Sequence, residues 1–259
     1  MKLSINGQEY EFENGKNALD IAGEISKDLK KTALAARING RVISLPEAIN
    51  EDGVLEILDF SDADGRKVMR HTASHVLAQA VKKLRPEVKL AIGPAIDNGF
   101  YYDFDVDMPF TPEFLKEVEK EMARIIKKNE RLERFELPRA EALKFMEEKG
   151  EPYKVELIRD LPEDAHISFY RQGDFTDLCA GPHVPSTGKV KAFKLTSIAG
   201  AYWRGSEKNK MLQRIYGTAF TDKAELQAYL DRIEEAKKRD HRRLGKELGL
   251  FMLRDEGPG

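Results

Sequence analysis

Imidazole and thiolate are the side chains that bind transition metals or move protons near neutral pH. This chain places most of those it has in two matched pairs: His71 and His75 stand four apart in HTASHVLAQA, and Cys179 and His183 four apart in DLCAGPHVP. The whole sequence holds five histidines and one cysteine. Three of the histidines and the sole cysteine therefore form a split HxxxH…CxxxH array, the signature of a single reaction centre. Such a set can close a three- or four-ligand zinc site. Without metal, the same groups can hold a water and polarise an ester.

The elements that must carry the array differ in kind. From Arg66 the pattern is a helix running to about Leu84 and stopped by Pro86. At about 100° per residue, Ala73, Val76, Leu77, Ala80, Val81 and Leu84 gather on one side and the two histidines project from the other, toward a cleft or solvent. DLCAGPHVP contains Gly181, Pro182 and Pro185, which exclude a regular helix and make it a rigid loop presenting Cys179 and His183 toward one point. Asp177, two residues before the cysteine, can orient an imidazole or pair with a substrate ammonium, and is equally an ordinary acidic loop residue. Lys154, in EPYKVEL, lies in a strand pattern whose alternation does not decide which way it faces. His166 and His241 sit among charged residues and read as surface.

Composition narrows the class. With 34% charged residues and no apolar run approaching the roughly 18–20 residues of a membrane span, the chain reads as soluble and globular. Its opening, MKLSINGQEY, has no apolar leader and reads as a strand. One cysteine makes no internal disulfide, which suits a reducing cytosol. A net charge of −2 argues against a general polyanion binder, so nucleic-acid contact must rest on local patches. The best patch is KKRDHRRLGK, Lys237 to Lys246, where six of ten residues are basic; the solvated face of a charged helix explains it as well. Absence of a Walker motif, a dinucleotide-binding glycine motif and a GxSxG elbow disfavours nucleotide-driven chemistry and serine acyl transfer.

The organisation is α+β. Alternation around Asn6-Gly7 predicts an opening hairpin. A helix at about Ala18 to Leu29 and strands in ALAARING and VLEILDF follow, giving one mixed sheet on one helix. SDADG, Ser61 to Gly65, reads as a linker, dividing residues 1–61 from a larger domain over 62–222. In that domain AIGPAIDNGFYYDFDV is strand-like around an Asn98-Gly99 turn, Thr111-Pro112-Glu113 starts a helix reaching about Glu130, and Arg139 to Lys149 forms a short helix. Tyr153–Ile158, Ser168–Tyr170, Ala192–Ser197 and Ala201–Arg204 are candidate strands, and a long charged helix over Lys223 to Leu248 follows, within 223–259.

RHTASHVLAQA, AIGPAIDNGFYYDF, DLCAGPHVP and AGAYWRGSEKNKMLQRIYGTAF together resemble the editing domain of bacterial-type threonyl-tRNA synthetases. Residues 1–61 resemble the TGS module of that family, a ubiquitin-like β-grasp, and 223–259 the linker helix leading into its class II catalytic core. The resemblance covers nearly the whole chain. It implies an α+β protein, a β-grasp followed by an editing domain with an antiparallel sheet, that hydrolyses serine from mischarged Ser-tRNA(Thr). The class II motifs, the catalytic zinc ligands and the anticodon-binding domain of the family would follow residue 259, so aminoacylation is not expected of this chain alone.

By matching motif positions, the resemblance makes His71, Lys154 and Asp177 catalytic and puts His75, Cys179 and His183 around the pocket. In that reading His71 positions or deprotonates the attacking water, helped by the terminal ribose hydroxyl. Lys154 stabilises the oxyanion or the leaving alkoxide, and Asp177 holds the seryl ammonium or a water. The threonyl branch is understood to work without metal, whereas the related alanyl branch binds zinc with the same array. No cofactor is therefore expected, with zinc at His71, His75, Cys179 and His183 as the alternative. Lys237, Lys238, Arg239, Arg242 and Arg243 become candidate tRNA contacts. A cytoplasmic monomer is expected, from a parent family that forms homodimers. A non-enzymatic tRNA-binding or regulatory role is the remaining alternative.

Overall fold

The computed structural model describes residues 1–238, so Arg239, Arg242, Arg243 and His241 lie outside the described residues. Residues 1–221 form one compact unit, and the described residues from 222 on belong to a second.

The chain opens with a hairpin of β1 (Lys2–Ile5) and β2 (Gln8–Glu11), turned by Asn6 and Gly7 at φ 52° and 78°. Asn and Gly tolerate that left-handed backbone best, which is why the dipeptide marks the turn. One helix was expected next, but two form: α1 (Ala18–Ile25) and α2 (Lys27–Thr32). Ser26 separates them because its extended backbone ends the first while its hydroxyl accepts from the Asp28 and Leu29 amides and caps the second. β3 (Ala35–Ile38), an unanticipated β4 (Arg41–Ile43) and β5 (Gly53–Leu58) complete a mixed sheet of order β2-β1-β5-β3-β4, in which only β1 and β5 run parallel. Leu3, Ile5, Ile21, Ile38 and Leu55 form its core.

SDADG is not a free linker. Asp62 caps α3 (Ala63–Leu84) by accepting from the Asp64 and Gly65 amides, so the segment becomes the first turn of that helix. Gly65 is required there, since a Cβ would stand 2.0 Å from the Asp59 carbonyl oxygen. The apolar side of α3 is buried as expected, apart from Leu84, which is 36% exposed. The opposite side is the correction: from Val68 to Val81 every residue is buried except His71, which is partly exposed. A helix covered all round belongs to the interior, and His75, at 3% exposure, does not look into solvent.

β6 (Lys89–Leu90), β7 (Ala95–Ile96) and β8 (Gly99–Asp105) follow, then α4 (Pro112–Lys128), whose Thr111 cap and first-position proline match the expected start. After β9 (Leu132–Leu137) and α5 (Arg139–Glu148) comes α6 (Pro152–Asp160), where a strand over Tyr153–Ile158 was expected. Tyr153, Val155 and Leu157 do alternate. Pro152 nevertheless starts a helix, and Val155 and Ile158 bury their side chains with Ala142, Met146 and Phe169 in a small core. Lys154 is therefore a helical residue.

β10 (Ile167–Gln172) and β11 (Phe175–Leu178) join β9 in a three-stranded antiparallel sheet of order β11-β10-β9. β12 (Ala192–Tyr202) is one strand through an irregularity between Leu195 and Ser197, not two. It pairs with β13 (Met211–Phe220) in a second antiparallel sheet, order β12-β13-β8-β6, with β7 also on β8. In the second compact unit, α7 (Lys223–Lys238) begins where Asp222 accepts from the Ala224 and Glu225 amides. Among the described residues no helix is long and apolar enough to cross a membrane.

Candidate functional site

Three elements converge on the array. α3 brings His71 and His75 one turn apart, β11 brings Asp177, and the irregular loop after it brings Cys179 and His183. One ligand atom from each of His71, His75, Cys179 and His183 lies within 4.8 Å of the others. The Cys179 Sγ is 3.2 Å from His183 Nε2 and 3.4 Å from His71 Nε2. The His183 ring stacks on His71 at 4.3 Å and meets His75 edge-on at 4.3 Å.

Hydrogen bonds settle how His183 is held. Thr72 Oγ1 donates to the Val68 carbonyl at 3.1 Å, accepts the Val184 amide at 3.1 Å and lies 3.0 Å from His183 Nδ1. A hydroxyl has one proton and two lone pairs. With its proton on Val68, Thr72 must accept from Nδ1–H, which leaves His183 Nε2 as a bare lone pair facing Cys179.

Burial dominates the titration of the cluster. It pulls His71 down to about 4, against a hydrogen bond to the Pro182 carbonyl and the charge of Asp177. It takes His75 to about 3, and His183, beside two other imidazoles, well below the ordinary value. Burial likewise pushes the Cys179 thiol up to about 12 despite the Gly181 amide that donates to it. At neutral pH the array is three neutral imidazoles and a thiol.

The charges sit next door. Lys154 Nζ is 2.7 Å from Asp177 Oδ1 and donates to the Tyr102 hydroxyl at 3.0 Å, and that hydroxyl donates to Asp177 Oδ2 at 2.6 Å. Lys154, Asp177 and Tyr102 are all buried. Burial works to raise the Asp177 carboxyl, but the charge of Lys154 and the bonds from Lys154 and Tyr102 outweigh it and keep it below the usual range. Burial and the facing carboxylate hold Tyr102 protonated, well above the usual phenol. The triad touches the array through His75, whose Nε2 lies 3.9 Å from Asp177 Oδ2.

A cleft of about 280 Å³ lined by Val42, Asp64, Lys67, Pro94, Gly181 and Pro182, among others, reaches the array at His71. His71 is thus the member of the array that lines the cleft, although Cys179 is partly exposed as well. Sequence reading missed Tyr102: the alternation of Phe100, Tyr102 and Phe104 in FYYDF marks these side chains as inward, and an inward tyrosine needs a polar partner. His166 is exposed, its Nδ1 3.4 Å from Glu136. Lys238 pairs with Glu234 at 2.9 Å.

The donor set fits a zinc ion. Separations of 3.2–3.4 Å between Sγ and Nε2 approach those of ligands in a tetrahedron with bonds of about 2.0–2.3 Å. Thr72 supplies the outer hydrogen bond to His183 that metal ligands use. His75 Nδ1, buried without a partner, is a further donor atom available to an ion.

Three suppressed histidines make stability pH-dependent. Unfolded histidines titrate near about 6.5, so between that value and the folded ones the unfolded chain binds more protons and stability falls as pH drops. Each neutral buried histidine removes up to about 1.4 kcal/mol per pH unit in this window. The Asp177 contribution is lost only lower, as pH falls below about 3.9 toward its depressed folded value. Urea unfolding of metal-free protein should show stability level above pH 7 and declining steeply from 6.5 to 4.5. A flat profile over that range would contradict the burial of the array.

Comparison with known proteins agrees with this architecture. Residues 4–59 match the TGS domain, and residues 167–216 match the threonyl and alanyl tRNA synthetase second additional domain. The chain is 65% identical over its full length to a threonine–tRNA ligase of Clostridium kluyveri, of which it covers 41%. Over 98% of its length it is 65% identical to the enzyme of Clostridium tetani, covering 40%, and over its full length 66% identical to that of Clostridium botulinum, covering 41%. It therefore spans about 41% of the length of these relatives. With its TGS and second additional domains, the chain corresponds along its whole length to the N-terminal region of bacterial threonine–tRNA ligases.

Proposed function

We propose that the array and its neighbouring triad hydrolyse the ester of serine mischarged onto tRNA(Thr), a proofreading step that needs none of the ligase's synthetic machinery. One observation carries the reading: a neutral imidazole, His71, meets a cleft while a buried lysine ion-paired to aspartate stands behind the same cluster. A neutral imidazole can take a proton, and a buried cation stabilises negative charge far better than a solvated one.

In the proposed step a water oxygen bonds to the ester carbonyl carbon as its proton passes to His71. The carbonyl electron pair moves onto oxygen, and the proposal assigns the third N–H of Lys154 to that oxygen; the other two serve Asp177 and Tyr102. Collapse breaks the bond to the ribose oxygen, which leaves with the proton held by His71. Asp177, occupied by Lys154 and Tyr102, orients both in this reading. His75, Cys179 and His183 wall the pocket. A zinc held by His71, His75, Cys179 and His183 would supply a Lewis acid and a water acidic enough to ionise near neutral pH. We favour the metal-free form, because Lys154 already supplies the positive charge and the Cys179 proton has an imidazole lone pair to satisfy.

The substrate follows from the limits of selection. Serine lacks one methyl of threonine, a difference worth only about 1–3 kcal/mol in a binding pocket, so a synthetic site leaks serine and a second, smaller site must remove it. Lys237, Lys238, Arg239, Arg242 and Arg243 are the proposed contacts to the tRNA backbone, and the domains are proposed to divide near residues 61 and 222.

The test is single-turnover hydrolysis of Ser-tRNA(Thr) and Thr-tRNA(Thr) by the same chain, with and without prior chelation, alongside elemental analysis. We expect the seryl ester cleaved, the threonyl ester largely spared and no loss on chelation. Equal rates on both esters would defeat the selectivity argument. Stoichiometric zinc with chelator-sensitive rates would turn the site into the alanyl type, and no hydrolysis of either ester would favour a tRNA-binding role.

A further inference from the structure

We infer that Ser44, which follows strand β4 of the first sheet, is a positioning residue of the catalytic centre built by the elements from α3 onward; the inference rests on the hydrolase reading above. The loop that carries Cys179 and His183 is neither helix nor strand, so past the Cys179 amide, which still donates to the Ser168 carbonyl at 3.1 Å, Gly181, His183 and Val184 have no ladder to bond to. Side chains take that place. Gly181 N–H is held by Cys179 Sγ at 3.2 Å, Val184 N–H by Thr72 Oγ1 at 3.1 Å, and His183 N–H by Ser44 Oγ at 3.0 Å. The first two acceptors come from the loop and from α3. The third comes from 139 residues away.

Ser44 does more than accept one amide. Its hydroxyl is 3.1 Å from the Tyr170 hydroxyl, and the Tyr170 ring meets the His183 ring at 4.4 Å. Tyr170 also fills the space over Gly181, where a Cβ would come within 2.3 Å of the phenol oxygen at a backbone φ of +76°. Ser44, Tyr170 and His183 are all buried. His183 is thereby gripped at its main chain by Ser44, at Nδ1 by Thr72 and at its ring edge by Tyr170, and its ring in turn stacks on His71. Val42, two residues before Ser44, lines the same cleft as His71. The TGS portion thus completes the hydrolytic site by fixing one wall of it.

Removing the Ser44 hydroxyl leaves a buried amide and a buried phenol each short of a partner, and the loop must move to find them. Displacement of a wall residue by a fraction of an ångström is felt in the chemical step more than in binding. The experiment compares the parent chain, Ser44→Ala and Ser44→Thr. Single-turnover hydrolysis of Ser-tRNA(Thr) is followed over a range of enzyme concentrations, and the ring nitrogens of 15N-histidine-labelled protein are followed by NMR. We expect Ser44→Ala to lower the maximal rate about tenfold with the half-saturating concentration unchanged. The His183 ring signals should shift while those of exposed His166 stay, and Ser44→Thr should recover both. Should the alanine variant not fold, Ser44→Cys, with a weaker acceptor of similar size, is expected to fall between it and the parent. Parent rate in Ser44→Ala or Ser44→Cys, or unmoved His183 signals, would overturn the inference. A parent chain that cleaves neither ester would defeat the hydrolase reading instead, and the NMR arm would then decide the Ser44–His183 linkage by itself.

Discussion

Lys154→Ala is expected to abolish most of the hydrolysis and much of the stability together. Loss of a buried donor aimed at developing charge costs about 10²-fold or more in the chemical step. The same change strands Asp177, which is 2% exposed and has Lys154 as its nearest cation at 2.7 Å. Removing one partner of a buried ion pair typically costs about 3–5 kcal/mol. The Asp177 carboxyl, no longer held down by the lysine, should then titrate upward, so against the decline that the buried histidines impose on both proteins the stability gap to the parent should narrow on mild acidification. Urea unfolding at two pH values, with single-turnover hydrolysis on the folded fraction, separates the two effects. Lys154→Met keeps the volume and should be as inactive. Parent-like stability in both variants would mean that the pair is not desolvated, and parent-like hydrolysis would remove Lys154 from the reaction.

His71→Ala should separate what Lys154→Ala joins. Its rate is expected to fall about 10²-fold or more, the scale of a lost general base, while stability changes little. The reason is position: His71 is the one partly exposed residue between Val68 and Val81 on α3, so water entering from the cleft can replace the missing ring. His75→Ala, by contrast, empties a fully packed site and should unfold at lower urea. Rates measured against pH from 5 to 8 add a second check. With His71 at about 4, the parent should hold its rate down to near pH 5, and a decline centred near 6.5 would indicate an ordinary solvated histidine. Unimpaired hydrolysis by His71→Ala would mean that another group activates the water.

The residues differ in how far their part could be read before the fold was known. Local rules carried the hairpin at Asn6-Gly7 and the start of α4 at Thr111-Pro112, because the determining atoms lie within a few residues. They failed at α6, where Tyr153, Val155 and Leu157 alternate as in a strand, yet Pro152 and the packing of Val155 and Ile158 impose a helix. They failed again on α3, whose second face is covered by groups distant in sequence. The His and Cys positions were legible as a set because those side chains are scarce and paired. Their protonation was not, since it depends on burial.

Side-chain chemistry and short-range pattern therefore indicate, from the sequence alone, an α+β protein in which His71, His75, Cys179 and His183 belong together as one set, and the structure brings them together. Only the tertiary structure decides which of them meets the cleft, that Tyr102 joins Lys154 and Asp177, and that Ser44 reaches His183. The physical reason is range: helix and strand periodicity names the face a residue occupies, within a few positions along the chain. Desolvation and hydrogen-bond closure depend on what packs against that face, and here the partners come from 52 to 139 residues away.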